Sequence, residues 1–160
     1  MNIPFSPPDI TEEEIEAVAE VMRSGWITTG PKTKELERKM AEFTHTNRGV
    51  CLNSATSCME MALRLFEIGP GDEVIVPAYT YTASASVVCH VGATLRLVDV
   101  EKGTFHIDYA AVESMINENT KAIIPVDLGG VMVDYDRIRA IVESKKSLFR
   151  PSSKMQEALG

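Results

Sequence analysis

Only three of the 160 residues are cysteine, at positions 51, 58 and 89, an odd set without Cys-x-x-Cys spacing. That argues against a disulfide framework and a zinc knuckle, and leaves the thiols reading as small buried apolar groups. Basic charge is also scarce: 16 Lys and Arg stand against 23 Asp and Glu, a net charge of −7, and the Lys145-Lys146 pair is too short for a phosphate-tracking stripe. Nucleic acid is therefore not an expected partner. No apolar run approaches the roughly 18 residues of a membrane span, and the start Met1-Asn2-Ile3-Pro4 lacks a basic segment leading into an apolar one. These absences give the expectation of a cytoplasmic chain with no membrane partner. The three histidines, at 45, 90 and 106, stand alone without a carboxylate or Cys at ligand spacing, so neither a metal site nor a histidine base is expected. Gly-x-Gly-x-x-Gly after the first strand and Gly-x-x-x-x-Gly-Lys-Ser/Thr are both missing, which sets aside dinucleotide and P-loop readings.

What is present is ordered apolar patterning. Thr11-Glu12-Glu13-Glu14 forms a capping box, followed by Ile15, Val18, Ala19 and Met22 at helical spacing, which predicts a helix over 11–24 ended by Gly25. A loop over 26–31 leads to a charged helix over 32–45 with Leu36, Met40 and Phe43 on its inner face. From Arg48 onward short apolar strands alternate with helices: strand 49–52, helix 56–66, strand 73–77 after the turn Gly69-Pro70-Gly71-Asp72, helix 82–90 and strand 94–98. A helix over 109–117 follows, with Asp108 as its cap and Ile107 and Val112 as a hydrophobic staple, then strand 122–126 and helix 135–142. Strands such as Val74-Ile75-Val76 are apolar throughout, which fits parallel strands covered on both faces. The expected fold is α/β, a three-layer αβα sandwich with a mostly parallel sheet. The expected segments are a helix and loop over 1–30, a partial large domain over 31–142, and a tail over 143–160 that reads as an insertion or a cut edge, with a short helix-like stretch at 155–159.

In open α/β sheets ligands sit beyond the carboxyl ends of the strands. After the first strand come Asn53-Ser54-Ala55-Thr56-Ser57, small polar residues opening a helix, which serve either as a phosphate cradle or as a plain cap. After Val74-Ile75-Val76 come Tyr79 and Tyr81, rings suited either to covering a flat ligand or to packing at an interface. After Ile123-Ile124-Pro125 comes Asp127, a holder of a polar ligand group or a turn cap.

Taken in order, these segments resemble the DegT-type nucleotide-sugar aminotransferases, fold-type-I enzymes that use pyridoxal 5'-phosphate (PLP). The resemblance covers about 3–142 and rests on Ile3-Pro4-Phe5-Ser6 with Asp9-Ile10, Ser24-Gly25-Trp26-Ile27-Thr28-Thr29-Gly30-Pro31, Ser54-Ala55-Thr56 and Gly69-Pro70-Gly71-Asp72-Glu73-Val74-Ile75-Val76-Pro77. Thr80-Tyr81, Gly92-Ala93-Thr94, Val98-Asp99-Val100 and Thr120-Lys121-Ala122-Ile123-Ile124-Pro125-Val126 continue it.

The resemblance implies that Ser54, Ala55 and Thr56 hold the cofactor phosphate and that Tyr81 stacks on its ring. It implies that Thr28, Thr29 and Gly30 lie along the substrate path, and Asp127, from its place after a strand, is assigned to substrate beside them. It also implies a homodimer, with a nucleotide-linked keto-sugar and an amino donor such as glutamate or glutamine as partners, in polysaccharide biosynthesis. Ala55 stands where the family usually has Gly, Pro7 where a basic residue is common, and Asp127 and Gly129 where His and an aromatic are common. Nothing after Val142 matches the family's covalent lysine or its pyridinium aspartate, so no catalytic residue is assigned and the 160-residue chain is expected to be inactive. Two alternatives are a non-catalytic module that associates, and a PLP-dependent sugar dehydratase on the same scaffold.

Overall fold

The computed structural model describes residues 6–152 and Met155, so the Ile3-Pro4-Phe5 segment, Lys154 and the 156–159 part of the tail lie outside the described residues. The chain divides into two compact units, Met1–Cys51 and Leu52–Gly160.

The first unit holds two helices, α1 (Glu12–Ser24) and α2 (Pro31–Phe43). The capping box forms in full, Thr11 and Glu14 each bonding the other's backbone end, and Gly25 closes α1 at φ 74°, a left-handed conformation that a side chain would resist. Pro31 begins α2 at the position where a missing N–H costs nothing. Leu36, Met40 and Phe43 were expected on an inner face, yet all three are exposed, Phe43 by 80%, and only Ala41 of α2 is buried. The amphipathic pattern made the helix; within this unit nothing described covers its apolar side. The strand expected over 49–52 is likewise not formed, and Val50 is 75% exposed. A strand exists only by pairing, and among the described residues no neighbouring strand takes up this segment's backbone groups.

The second unit carries the predicted alternation: α3 (Ala55–Leu65), β1 (Glu73–Pro77), α4 (Ala83–His90), β2 (Thr94–Val98), α5 (Tyr109–Met115), β3 (Thr120–Ile123) and α6 (Tyr135–Ser144). The strands form one sheet in the order β2-β1-β3, with both pairings parallel. β3 ends at Ile123 rather than at 126, since Pro125 has no N–H to give a ladder. Alternation along β1 assigns the layers. Val74 and Val76 enter a cluster with Leu63, Val87 and Val88 of α3 and α4, while Ile75 enters another with Val112, Ile138 and Ile141 of α5 and α6. Ile107 and Val112, the expected staple, are both buried in that second cluster.

A further correction concerns the cysteines, and the tail adds an observation of its own. Cys58 and Cys89 are exposed and Cys51 half-buried, so the thiols are not core groups: at 58 and 89 they face away from the sheet. The tail is partly anchored, as Ser152 Oγ donates to the Phe66 carbonyl at 2.8 Å and Met155 is buried in the α3/α4 cluster. No helix among the described residues is long and apolar enough to cross a membrane.

Candidate functional site

α3 leads into β1 and packs beside α4 on the Val74/Val76 face of the sheet. Ser54 caps α3: its Oγ accepts from the Ser57 amide at 3.1 Å and lies 3.0 Å from the Ser57 hydroxyl. Cys58 N begins the helical ladder by donating to the Ser54 carbonyl at 3.1 Å. That leaves the amides of Ala55 and Thr56, which have no acceptor among the described residues.

Charge at this helix mouth differs from that of α1. Three glutamates crowd the first turn of α1, whereas the first turn of α3 contains no acidic residue among the described residues. The partial positive end of the α3 dipole is thus unneutralised, with two free N–H groups and the Thr56 hydroxyl beside it. Ala55 in place of Gly leaves this intact, because the position is helical and only the N–H is needed.

Tyr81 follows β1 and is 82% exposed, while Thr80 Oγ1 meets Ser84 Oγ at 3.2 Å and so ties the same loop to α4. Tyr79 is instead stacked on Phe105 of the loop after β2, with ring centroids 5.0 Å apart and planes at 19°. Of the Tyr-x-Tyr pair, one ring is therefore occupied and the other is free to meet a ligand. Phe105 went unrecognised from sequence, where its loop offers no periodicity.

Asp127 is held locally. Its Oδ1 accepts from the Val133 amide at 2.8 Å and its Oδ2 from the Tyr135 hydroxyl at 3.0 Å, so the carboxylate clasps the loop that follows β3. Burial, joined by the hydrogen bond to and the charge of Asp127, raises the Tyr135 phenol above its ordinary range. A raised folded value means that the contribution of this bond is present below the unfolded pKa, about 10, and is lost as pH rises through the folded one. In a near-ultraviolet absorbance titration Tyr135→Phe is expected to remove an ionisation that lies above the ordinary tyrosine range; a curve unchanged there would contradict the clasp.

Thr28, Thr29 and Gly30 belong to the first unit, in the loop between α1 and α2. Trp26 Nε1 donates to the Thr29 carbonyl at 3.1 Å, and the indole lies so close to Gly30 that a Cβ there would meet Nε1 at 2.2 Å. Gly30 is therefore required by close approach, and the exposed Thr28 and Thr29 hydroxyls are presented by a loop that Trp26 shapes. Among the described residues no group of three or more His, Cys, Asp or Glu is arranged to hold a metal ion.

A family model described as the DegT/DnrJ/EryC1/StrS aminotransferase family matches residues 8–149. Among solved structures, a Streptococcus pneumoniae protein described as a sugar aminotransferase is 60% identical and superposes with a TM-score of 0.94 in its apo form and 0.93 in its PLP form. The match covers 99% of this chain and 40% of that one. An aminotransferase from Psychrobacter cryohalolentis is 34% identical over 89% of this chain and 37% of its own, with a TM-score of 0.82. A DegT DnrJ EryC1 StrS aminotransferase from Brucella abortus is 33% identical over 84% of this chain and 38% of its own, with a TM-score of 0.73. The chain thus spans about two fifths of the length of the solved relatives, and its αβα layers are part of the large domain of a fold-type-I enzyme.

Proposed function

We propose, since this chain belongs to the DegT/DnrJ/EryC1/StrS aminotransferase family, that it is the cofactor-anchoring portion of a PLP-dependent aminotransferase acting on a nucleotide-linked keto-sugar, with glutamate or glutamine as amino donor. The single observation that carries this reading is the mouth of α3: two amides without acceptors, a hydroxyl, and no carboxylate in the first turn. These groups suit a phosphate dianion. Bound PLP supplies an electron sink for the carbanion formed at the amino donor.

The chain's own residues bind and orient. Ser54 fixes the start of the helix so that the Ala55 and Thr56 amides converge on the phosphate. Tyr81 offers a free ring face to the pyridine, with its loop steadied by the Thr80–Ser84 contact. Thr28, Thr29 and Gly30 of the first unit are assigned to substrate, and in the second unit Asp127 is assigned to substrate while it holds the loop after β3. In the cell this is a cytoplasmic function of a homodimer, in the assembly of a polysaccharide.

Three of the described lysines, at 32, 39 and 121, are already engaged in ways that do not suit covalent attachment. Lys32 and Lys39 are exposed and ion-paired with Glu20 and Glu35, and Lys121 Nζ donates to the Glu118 carbonyl at 2.8 Å. Purified residues 1–160 are therefore expected to bind PLP by its phosphate and to give no aminotransferase turnover. Titration with PLP and with pyridoxal, which lacks the phosphate, tests the reading. PLP should bind at least about tenfold more tightly, and the preference should grow as pH rises through about 6, where the phosphomonoester gains its second charge. Equal affinity for the two compounds, or measurable turnover, would overturn it.

A further inference from the structure

Tyr81 carries its exposed ring at the end of a short segment whose backbone is tied at several points. The Ala78 amide donates to the Val98 carbonyl at 2.7 Å, and the Ser84 amide donates to the Tyr81 carbonyl at 3.1 Å. Between these ties Thr80 meets Ser84, and the Tyr79 ring lies on that of Phe105.

Phe105 can hold Tyr79 because its own loop is folded back on itself. Val100 and Ile107 form an antiparallel bridge, the Glu101 amide donates to the His106 carbonyl at 2.9 Å, and the Thr104 amide closes a turn on the Glu101 carbonyl at 3.0 Å. Ile107 roots the loop in the α5/α6 cluster, and Arg137 of α6 pairs with Glu101 at 3.2 Å. Phe105 itself is 63% exposed, so its ring adds little to the core. It also borders a cavity of about 240 Å³ with Val126, Leu128 and Val131, which Tyr79 does not line. Among the described residues the ring it stacks on is that of Tyr79.

We infer, resting on the assignment of Tyr81 to the pyridine ring, that Phe105 is a positioning residue for the cofactor: through Tyr79 it fixes the 78–81 segment, so that the Tyr81 ring is in place before the pyridine arrives. A loop held in advance is spared an ordering cost that binding would otherwise meet. The amides at the mouth of α3 take no part in the stack. Loss of the Phe105 ring should therefore weaken recognition of the pyridine and leave recognition of the phosphate as it was.

Residues 1–160 are compared with the Phe105→Ala and Phe105→Tyr variants, neither of which empties the core, since Phe105 is exposed. Without ligand, the Ala78 and Ser84 amides should exchange at least about threefold faster in Phe105→Ala. PLP affinity should fall about threefold to tenfold, the range that one aromatic pair supports, and the shift that PLP induces in the Tyr81 ring signals should shrink. Inorganic phosphate should bind as before. Phe105→Tyr keeps a flat ring for Tyr79 and should restore exchange, affinity and shift together. Unchanged amide exchange or PLP affinity in Phe105→Ala, an equal loss of phosphate affinity, or no recovery in Phe105→Tyr would overturn the inference. Tyr81 signals that ignore PLP in the unaltered chain would overturn it together with the assignment of Tyr81, whereas a clear Tyr81 response that Phe105→Ala leaves intact would remove the role of Phe105 alone.

Discussion

Ile75→Ala is expected to lower the unfolding free energy by about 2–5 kcal/mol, as removal of a buried aliphatic side chain leaves both a lost transfer energy and a cavity. Ile75 is fully buried at the centre of the sheet and is the β1 residue that enters the α5/α6 cluster. With domain stabilities of about 5–15 kcal/mol, a loss of that size brings the second unit close to unfolding at room temperature. Urea titration followed by circular dichroism measures it, as a lower midpoint at unchanged slope. A change under about 0.5 kcal/mol would mean that the two clusters do not share β1 as their common wall.

Thr56→Glu is expected to separate stability from binding. A carboxylate in the first turn of α3 complements the helix dipole and should raise stability by about 0.3–1 kcal/mol. The same carboxylate stands where the phosphate dianion would sit and replaces a hydroxyl donor, so PLP affinity should fall at least tenfold, about 1.4 kcal/mol. Thermal unfolding and PLP titration on one preparation give both numbers. Unchanged affinity would remove α3 from the site. Loss of both fold and affinity would mean that Thr56 is a packing residue.

The helices were legible because their signals are local. The capping box of α1, Asp108 before α5 and the small polar residues before α3 each satisfy backbone groups within three or four residues, and all three caps formed. β1 was legible because a short β-branched apolar run bounded by Gly69-Pro70-Gly71-Asp72 and Pro77 fits a strand covered on both faces. The segment 49–52 shows the limit: its composition is that of a strand, but strand formation depends on a neighbour that no local pattern reveals. Leu36, Met40 and Phe43 show the same limit for burial, since periodicity reports which side is apolar and not what covers it.

The candidate site was legible in part. Ser54, Ala55 and Thr56 stood out as small polar residues opening a helix, although the strand expected before them did not form, and Tyr81 stood out from its place after β1. What sequence spacing did not give was the division of labour. The roles of Tyr79 as partner of Phe105, and of Asp127 as clasp on Val133 and Tyr135, depend on contacts across 26, 6 and 8 positions, all beyond helical spacing. Gly30 is a similar case: a sequence motif marks it, while the reason a side chain is excluded lies in the folded position of Trp26.

The most direct measurement is an amide chemical-shift titration of isotope-labelled residues 1–160 with PLP, repeated with inorganic phosphate. The phosphate seat at α3 predicts that the Ala55 and Thr56 N–H resonances move most in both series, with Tyr81 ring signals responding to PLP alone. Largest shifts at another helix, or none at Ala55 and Thr56, would contradict it.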